Sequence, residues 1–520
     1  MQRADVEKAR RERWDRTKPA GVSAQGVVTA QHYSAADAGA KVLEEGGNAV
    51  DAAITAALTL QTVEPWMSGL GACGYMQVMQ PNGDAQTIEF TGRLPAHLDM
   101  DVYAPADDGA VFFNGNAISK GGANVRGFTS VVVPGAVRGF ATALAQFGTI
   151  GFDRAIRPAR DAAAAGTVVD WHTTLAIGLG HGEMRADANM QAVFQPGGKI
   201  PAPGAVLRNP ALAVTLARLH DAGPDDFYTG ATAAALVADL QAAGSTITLD
   251  DMAAYEARVY PSVPFEFAGH TVFTPGDTSG GSRLRLALGR FAELFGTQGE
   301  VGPKFYADFA TALKYAYSEE KRPLTATERD KDGSTTQINA VDADGRFATI
   351  TFTLFNRFGA YAMSPATGIL LNNGMAWYDP RPGRINSMVP MAYAHNNMCP
   401  VAIAGGGRSV AVLGASGGNM IVPALAQITA MHLVAGMDVA DAVSHPRIDA
   451  GPAPVVTVNV DMTDAEIAAV AALGPVRAAQ TEVMPRPFAS PAMTGRRGDL
   501  FVGMPDTSYP PAAAAIVVSG

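Results

Sequence analysis

The strongest constraint on the fold is a strand-like alternation that begins soon after residue 335. In residues 347–355, apolar side chains at positions 348, 350, 352 and 354 alternate with Thr349, Thr351 and Thr353. This period of two predicts a strand with one apolar face and one threonine face. An Asp-Gly turn within 342–345 connects it to a second predicted strand over 335–341, so the two form a hairpin.

Helical and strand patterns alternate on both sides of this hairpin. Two predicted helices begin with a capping pair, in which a serine or asparagine at the N-cap is followed three positions later by an aspartate. The pairs are Ser34 with Asp37, and Asn48 with Asp51. The predicted helices cover 35–45, 48–63, 137–147, 211–221, 232–243, 284–294 and 421–437, and further strands cover 26–31, 74–79, 87–90 and 409–413. This intermixed order, without any repeat, predicts a layered α+β or α/β sandwich with helices outside the sheets.

Composition limits the partners and the location. The 520 residues are 48% hydrophobic, which is typical of a globular chain, and carry a formal net charge of −10 without a basic run. Such a chain repels nucleic acid, so we expect no nucleic-acid partner. The first 18 residues lack an apolar core, and the apolar run 421–437 contains Pro423 and His432. We therefore expect no secretory signal, no membrane span and a cytoplasmic location.

Metal and dinucleotide chemistry are not indicated. The nine histidines show no zinc-binding spacing, and the two cysteines, Cys73 and Cys399, lie far apart in apolar stretches. We expect buried thiols, no disulfide, no metal and no cofactor. The sequence GLGACG at 69–74 matches a dinucleotide motif by letter, but a predicted helix precedes it and a strand follows. That order is the reverse of a nucleotide-binding turn and favours a plain glycine turn.

Two segments are candidates for chemistry, and each also has an ordinary interpretation. The GASGG sequence at 414–418 lies between an apolar strand and an apolar helix, where N–H groups can hold an oxyanion; a plain turn fits equally well. Thr335 follows a predicted exposed loop over 327–334. A threonine freed by cleavage would hold a hydroxyl nucleophile and an amine base in one residue, although a simple strand start is the commoner explanation.

Five motifs, in order, give the chain a clear resemblance to the γ-glutamyltranspeptidase family. They are GGNAVDAA at 46–53 followed by Val-Glu-Pro at 63–65, DFY at 226–228, SGG at 279–281, GILLNN at 368–373, and His-Pro-Arg at 445–447. The resemblance implies an N-terminal nucleophile hydrolase, which is a four-layer αββα sandwich of the α+β class. It also implies one precursor that cuts itself into a large subunit, 1–334, and a small catalytic subunit, 335–520.

The resemblance also implies the catalytic residues. The sequence TTQINAVD at 335–342 is similar to the family's processing site, with Gln337 in place of a histidine. Cleavage is then expected between Ser334 and Thr335, with Thr335 as the nucleophile and Thr353 as its hydrogen-bonding partner. Gly417 and Gly418 are expected to hold the oxyanion.

The chain departs from the family pattern where that family binds glutamate. Thr91 occupies the position of a family arginine, with Arg93 nearby, and Phe355 occupies the position of an asparagine, with Asn356 next to it. Gly374 and Trp377 replace a glutamine and an aspartate, and Asn396-Asn397 replaces a pair of serines. Without the aspartate, a substrate ammonium has no counter-charge, and leaving a buried ammonium unpaired costs several kcal/mol. We therefore expect poor binding of γ-glutamyl groups.

The remaining residues predict a pocket for a small acyl group. Arg93 is expected to bind a substrate carboxylate, Asn356, Asn396 and Asn397 to offer amide groups, and Trp377 to narrow the pocket. The leading hypothesis is a threonine amidohydrolase similar to the oxamate amidohydrolases of purine breakdown, which release oxalate and ammonia.

Three alternatives stay open at this point. They are a cephalosporin-acylase-like acylase, a γ-glutamyl transferase or glutathione hydrolase, and an uncleaved structural relative without activity. The last is disfavoured because Thr335, Thr353 and both glycines at 417 and 418 are intact. The expected partners are a small-molecule amide and the two subunits of one precursor, and the resemblance allows a homodimer of such heterodimers.

Overall fold

The secondary structure was assigned in a computed structural model, which describes residues 16–112, 115–319, 333–451, 453–484 and 486–518. The helices are α1 (Tyr33–Glu44), α2 (Ala49–Val63), α3 (Ala136–Phe147), α4 (Phe152–Ala165), α5 (Trp171–Leu179), α6 (His181–Met184), α7 (Ala188–Phe194), α8 (Pro210–Ala222), α9 (Asp226–Thr229), α10 (Ala231–Ala242), α11 (Leu249–Ala253), α12 (Gly281–Phe295), α13 (Pro303–Glu319), α14 (Ile421–Leu433), α15 (Val439–Ser444) and α16 (Asp464–Ala471).

The strands are β1 (Gly21–Ser23), β2 (Gly26–Ala30), β3 (Cys73–Met79), β4 (Ala85–Phe90), β5 (Thr167–Val168), β6 (Val206–Leu207), β7 (Arg258–Pro261), β8 (Val263–Phe267), β9 (His270–Thr274), β10 (Gly333–Asp342), β11 (Phe347–Asn356), β12 (Val401–Gly405), β13 (Arg408–Ser416), β14 (Ile448–Asp449), β15 (Val456–Asn459), β16 (Val476–Ala479), β17 (Ser490–Arg497), β18 (Leu500–Met504) and β19 (Ala513–Ile516). Within the described residues, no helix combines the length and the apolar composition needed to cross a bilayer.

Two seven-stranded antiparallel sheets form the centre of the fold. The first has the order β19-β2-β10-β11-β3-β4-β7, and the second has the order β1-β18-β17-β13-β12-β9-β8. The predicted hairpin is β10–β11, and it lies in the middle of the first sheet, facing β13 and β17 of the second. Helices α1, α2 and α3 pack on the outside of the first sheet, while α12, α14 and α15 pack on the second. The four layers confirm the αββα class.

The alternation in β11 explains how the layers pack. The side chains of Ile350 and Phe352 are fully buried in the core that α2 forms with the first sheet. The threonines point the other way, toward the second sheet. There Thr351 Oγ1 donates to Gln337 Oε1 at 2.6 Å, and Gln337 Nε2 donates to Thr349 Oγ1 at 2.8 Å. The space between the sheets is therefore partly polar, and the buried side chains of Gln337, Thr349 and Thr351 are hydrogen-bonded to one another there.

Both predicted subunits contribute strands to both sheets. In the first sheet, β10 from the C-terminal part pairs with β2 from the N-terminal part, and β11 pairs with β3. A cut before Thr335 would leave these ladders intact, so the two fragments would remain together. No disulfide is required, because Cys73 and Cys399 are buried free thiols. The division into 1–334 and 335–520 stays a prediction.

Some local predictions are wrong in detail. Helix α1 is capped by His32, whose Nδ1 accepts from the N–H of Ser34 at 3.1 Å, rather than by Ser34. The imidazole acts as the acceptor two residues earlier than residue preferences suggest. Ser334, predicted to lie in an exposed loop, is buried in β10. The rest of that loop up to residue 332, and residues 1–15, lie outside the described residues. Asn48 and Asp51 do form the predicted capping box.

We expect Gly74→Ala to reduce stability, because β3 passes very close to β11 at this position. An added Cβ would lie 2.4 Å from the carbonyl oxygen of Thr351 and 2.7 Å from Cα of Phe352. Forcing backbone atoms apart in a packed sheet costs about 1–3 kcal/mol. Chemical denaturation would measure the loss. The control is Gly182→Ala, where nothing lies within 4 Å of the added Cβ. Equal stability of the two variants would contradict this account of the packing.

Candidate active site

Thr335 lies at a β-bulge in the central hairpin. Ser334 pairs with Phe355, and Thr336 pairs with Phe352, so that Thr335 alone lies opposite Thr353 and its neighbour Leu354. A bulge changes the direction of side chains locally and is common next to active sites. Here it brings the hydroxyl groups of Thr335 and Thr353 to the same peptide carbonyl.

That carbonyl belongs to Ser334, the residue before the predicted nucleophile. It accepts hydrogen bonds from Thr335 Oγ1 at 2.7 Å and from Thr353 Oγ1. Thr353 Oγ1 in turn accepts from the N–H of Phe355 at 2.8 Å, which directs its own proton toward the carbonyl. Two hydroxyl donors polarise a carbonyl and stabilise negative charge that develops on its oxygen. This arrangement can support attack of the Thr335 hydroxyl on the adjacent peptide bond.

A glycine loop lies beside the two threonines, at the junction of β13 and α14. Gly417 has φ of 137° and Gly418 has φ of 55°, and a Cβ on Gly417 would lie 3.0 Å from Cα of Ala489. Both glycines are therefore in backbone conformations that other residues rarely adopt. A short 3-10 turn, Gly418–Met420, then leads into α14. N–H groups at such a helix start favour negative charge.

A small cavity next to Thr335 opens to solvent, and its free space, with the solvent at its mouth included, is about 290 Å³. It is lined by Ser334, Thr335, Thr353, Phe355, Trp377, Asn396, Asn397, Met398, Gly418 and Ile421. Among the described residues, the lining contains no charged side chain. One wall is apolar, formed by Phe355 and Trp377 edge to face, with ring centroids 4.9 Å apart, together with Met398 and Ile421. The polar side chains besides the threonines and Ser334 are the two asparagines.

The aromatic wall is held in a strained conformation. Phe355, near the end of β11, has φ of 85°, and Phe358 and Tyr361 in the segment that follows also have positive φ, at 61° and 50°. Each such bulky residue costs about 1–3 kcal/mol unless its surroundings fix it. The Phe355 ring is fixed by Trp377 on one side and by Phe112 on another, with centroids 5.9 Å apart. The wall is therefore set in position by packing rather than by a flexible loop.

Asn396 is oriented by a chain of buried hydroxyls. Its Nδ2 donates to the Tyr75 hydroxyl at 3.3 Å, and that hydroxyl donates to Thr278 Oγ1 at 3.1 Å. Thr278 donates to the buried carboxylate of Glu89 at 2.9 Å. Burial, and after it the charge of Glu89, raises the pKa of Tyr75 well above its ordinary value. Tyr75 therefore stays a neutral phenol, and Asn396 is fixed at the cavity wall.

Two of the predicted substrate-binding residues are not brought to the cavity. The guanidinium of Arg93 donates to the main-chain carbonyl of Ala254 at 2.7 Å and to that of Asp251 at 2.8 Å. These two main-chain contacts hold the guanidinium against the α11 region, and Arg93 does not line the cavity beside Thr335. Asn356 also does not line the cavity; its N–H donates to Asn373 Oδ1 at 3.0 Å. Trp377, Asn396 and Asn397 do line it, as predicted.

The structure adds Tyr75, Met398 and Ile421 to the residues of the site. Phe355 was noted as a departure from the family but not as part of the pocket wall. Its position directly after the T-x-T-L segment was the available signal; the other three carried none. Within the described residues, no cluster of three or more His, Cys, Asp or Glu side chains is arranged to bind a metal ion.

Comparison with known proteins agrees with this geometry. A profile of the gamma-glutamyltranspeptidase family matches residues 35–328 and 318–515. Glutathione hydrolase 2 of Arabidopsis thaliana is 28% identical, covering 82% of this chain and 80% of its own. The acylase ACY 1 proenzyme of Pseudomonas sp. (strain SE83) is 29% identical, covering 83% of each. The crystal structure of a cephalosporin acylase from Bacillus halodurans superposes with a TM-score of 0.83 at 19% identity, covering 98% of each chain.

The fold and these similarities define the class of protein, an amidohydrolase with the N-terminal nucleophile fold. The chain belongs to the γ-glutamyltranspeptidase family. Its relatives include proenzymes, which supports a precursor that is cleaved into two subunits. The individual roles of Thr335, Thr353, Gly417 and Gly418 stay predictions.

We expect Thr353→Ala to slow cleavage of the chain before Thr335. The variant loses one of the two hydroxyl donors to the Ser334 carbonyl. Losing such a hydrogen bond raises the barrier to cleavage by about 1.5–3 kcal/mol, which slows the reaction roughly ten- to a hundredfold. Time-resolved intact-mass spectrometry after expression would measure it. Thr351→Ala, on the same face of β11, removes a hydrogen bond to Gln337 instead and should leave cleavage unchanged. Equal rates in the two variants would contradict the role of Thr353.

Proposed function

We propose that this chain is a self-processing threonine amidohydrolase that hydrolyses linear amides with a small, uncharged acyl group. Thr335 is its nucleophile, Thr353 is the hydroxyl that supports it, and Gly417 and Gly418 stabilise the oxyanion. The observation that carries the proposal is the shared position of the two threonine hydroxyls on the Ser334 carbonyl, beside a cavity with an apolar wall.

Processing takes place in two steps. The Thr335 oxygen attacks the carbonyl carbon of Ser334, the peptide C–N bond breaks, and the Thr335 nitrogen takes up the hydroxyl proton, which leaves an ester. Water then hydrolyses the ester, giving a carboxylate on Ser334 and a free amine and hydroxyl on Thr335. The new amine is within the same residue as the hydroxyl and can accept its proton without a histidine.

The same residue then hydrolyses the substrate. The Thr335 hydroxyl attacks the amide carbonyl, the amine or ammonia leaves with a proton, and the acyl group stays on Thr335 as an ester. Water releases the acid and restores the hydroxyl. The negative oxygen formed in each step is expected to lie at the glycine loop, where N–H donors can contribute about 10²–10³ in kcat.

The lining of the cavity supports an uncharged acyl group. A charged group buried without a partner costs several kcal/mol, and the side chains of the described lining residues offer neither a cation nor an anion. Phe355, Trp377, Met398 and Ile421 instead suit an apolar acyl chain. Asn396 donates both amide hydrogens to Tyr75 and Ala394, whereas Asn397 donates one to Asn419 and can offer the other to a neutral oxygen of the substrate. This is closest to the acylase alternative, and a relative of similar identity is an acylase proenzyme.

Oxamate, the leading hypothesis from the sequence, fits the cavity less well. Its carboxylate requires a cation, and the guanidinium of Arg93 is held by two main-chain carbonyls. A γ-glutamyl group requires partners for both an ammonium and a carboxylate. Both compounds therefore serve as comparison substrates for the proposal.

Thr335→Ala is expected to remain one chain of 53.9 kDa and to have no amidase activity. The wild type should separate under denaturing conditions into fragments that meet at Ser334 and Thr335. Intact-mass spectrometry would measure both. Thr336→Ala is the matched control, because Thr336 is the adjacent buried threonine on β10, and it should be cut normally. A cut Thr335→Ala chain would overturn the proposed nucleophile.

We expect wild-type kcat/KM for a short-chain acyl p-nitroanilide to exceed that for γ-glutamyl-p-nitroanilide by about 100-fold or more, since an unpaired buried charge costs several kcal/mol. Ammonia release from oxamate should likewise be slower than from the uncharged amides of similar size.

Trp377→Asp supplies a counter-charge and space, so it should raise γ-glutamyl hydrolysis at least about tenfold. Trp377→Phe, which keeps the aromatic wall, should not. A wild type that prefers γ-glutamyl or oxamate would contradict the uncharged acyl group.

A further inference from the structure

A buried arginine, Arg283, lies behind the cavity and is connected to the glycine loop. It belongs to α12 and its side chain is 0% exposed. Its Nη1 donates to Asn397 Oδ1 at 2.9 Å, and its guanidinium stacks on the ring of Tyr317, 4.3 Å from the centroid. Tyr317 belongs to the neighbouring helix, α13. One side chain therefore contacts both a residue of the cavity wall and a residue of the supporting helix.

Both of these neighbours bind Asn419, the residue directly after Gly418. Asn397 Nδ2 donates to Asn419 Oδ1, and the Tyr317 hydroxyl donates to the main-chain carbonyl of Asn419 at 2.9 Å. Asn419 is thus held at its side chain and at its backbone. Because it follows the two glycines, these contacts fix the C-terminal end of the glycine loop.

We infer that Arg283 is a positioning residue for the glycine loop, and that it acts through Asn397, Tyr317 and Asn419. The inference rests on the proposed function, in which that loop stabilises the oxyanion. Glycines have few conformational restraints of their own, so the direction of the Gly417 and Gly418 N–H groups must be set by their neighbours. The contacts to Asn419 are the connection from the loop to the helices behind it.

The chemistry of Arg283 explains why an arginine suits this position. A guanidinium has donors and no acceptor, so the end of the Asn397 amide that faces it must be the oxygen. The amide NH₂ is then directed to Asn419. The same planar group can donate at its edge and stack on Tyr317 with its face, which a lysine ammonium cannot reproduce.

The test uses the cleaved enzyme and an uncharged acyl p-nitroanilide. Because a small displacement of catalytic groups can cost about a hundredfold, we expect Arg283→Met and Arg283→Lys to lower kcat by about 10- to 100-fold. Because Arg283 also orients Asn397 in the cavity wall, we expect KM to rise as well; Tyr317→Phe, which removes only the contact to Asn419, should lower kcat with less than about a threefold change in KM. Arg290→Met is the matched control: Arg290 is also on α12 and stacks on Tyr315 of α13, at 5.6 Å, but pairs with Glu293 at the surface. It should keep wild-type kcat.

A double-mutant cycle separates positioning from general stability. If Arg283 acts through Asn419, then Arg283→Met combined with Asn419→Ala should lower kcat little more than either change alone. Additive losses, or wild-type kcat in a folded Arg283→Met enzyme, would overturn the inference. If Arg283→Met does not fold, Tyr317→Phe decides: it removes only the hydroxyl that binds Asn419, and it should lower kcat without changing KM. Wild-type kcat in Tyr317→Phe would then overturn it.

Failure of the proposed function gives a different result. If Thr335→Ala retained activity, the nucleophile would be wrong whatever the Arg283 variants did. If Thr335→Ala is inactive while the Arg283 and Tyr317 variants keep wild-type kcat, the nucleophile stands and only the positioning role fails.

Discussion

The structure depends on one carbonyl group, that of Ser334, and on the two threonine hydroxyls that donate to it. The Thr335 hydroxyl bonds the carbonyl of the residue directly before it, whereas the Thr353 hydroxyl reaches that carbonyl from the other strand, at a displacement from the regular register. The bulge between the Ser334–Phe355 and Thr336–Phe352 pairs supplies the displacement. The bulge lies in the central strands of a buried sheet, where neighbours on both sides hold it. A strained geometry is retained only where the surrounding structure determines it.

The two sheets provide that support in different ways. The first sheet carries the threonines and is anchored on its outer face by the fully buried helix α2. The second sheet ends β13 in the glycine loop, so its register places Gly417 and Gly418 beside the threonines. Nucleophile and oxyanion loop therefore belong to different sheets, and the distance between them is fixed by the packing of one sheet on the other. The polar contacts of Gln337 with Thr349 and Thr351 contribute to this packing.

Much of the fold could be predicted from local patterns, whereas the details of the site could not. The period of two in β11 identified the hairpin and assigned the threonines to one face, because side-chain direction follows directly from strand geometry. The bulge was not predictable, since the alternation of residues is the same on either side of it. The predicted cap of α1, Ser34, is wrong because the side chain of His32 takes the place of the usual hydroxyl or carboxylate. The glycine loop, in contrast, was found because a glycine pair between an apolar strand and an apolar helix has few other uses.

Arg93 shows the limit most clearly: closeness in sequence to the family's arginine does not fix the direction of a long side chain, and two main-chain carbonyls hold it elsewhere. Arg283 had no signal in the sequence, because its hydrogen bond joins α12 to Asn397, 114 positions away.

Trapping the acyl-enzyme tests the central claim most directly. The cleaved protein would be mixed with an uncharged acyl p-nitroanilide, quenched in acid during turnover, and digested for peptide mass spectrometry. The account predicts that the mass of the acyl group is found on a peptide whose first residue is Thr335, attached through its hydroxyl oxygen. An acyl group on another residue, such as Ser416 beside the glycine loop, or a C-terminal fragment that begins at another residue, would contradict it.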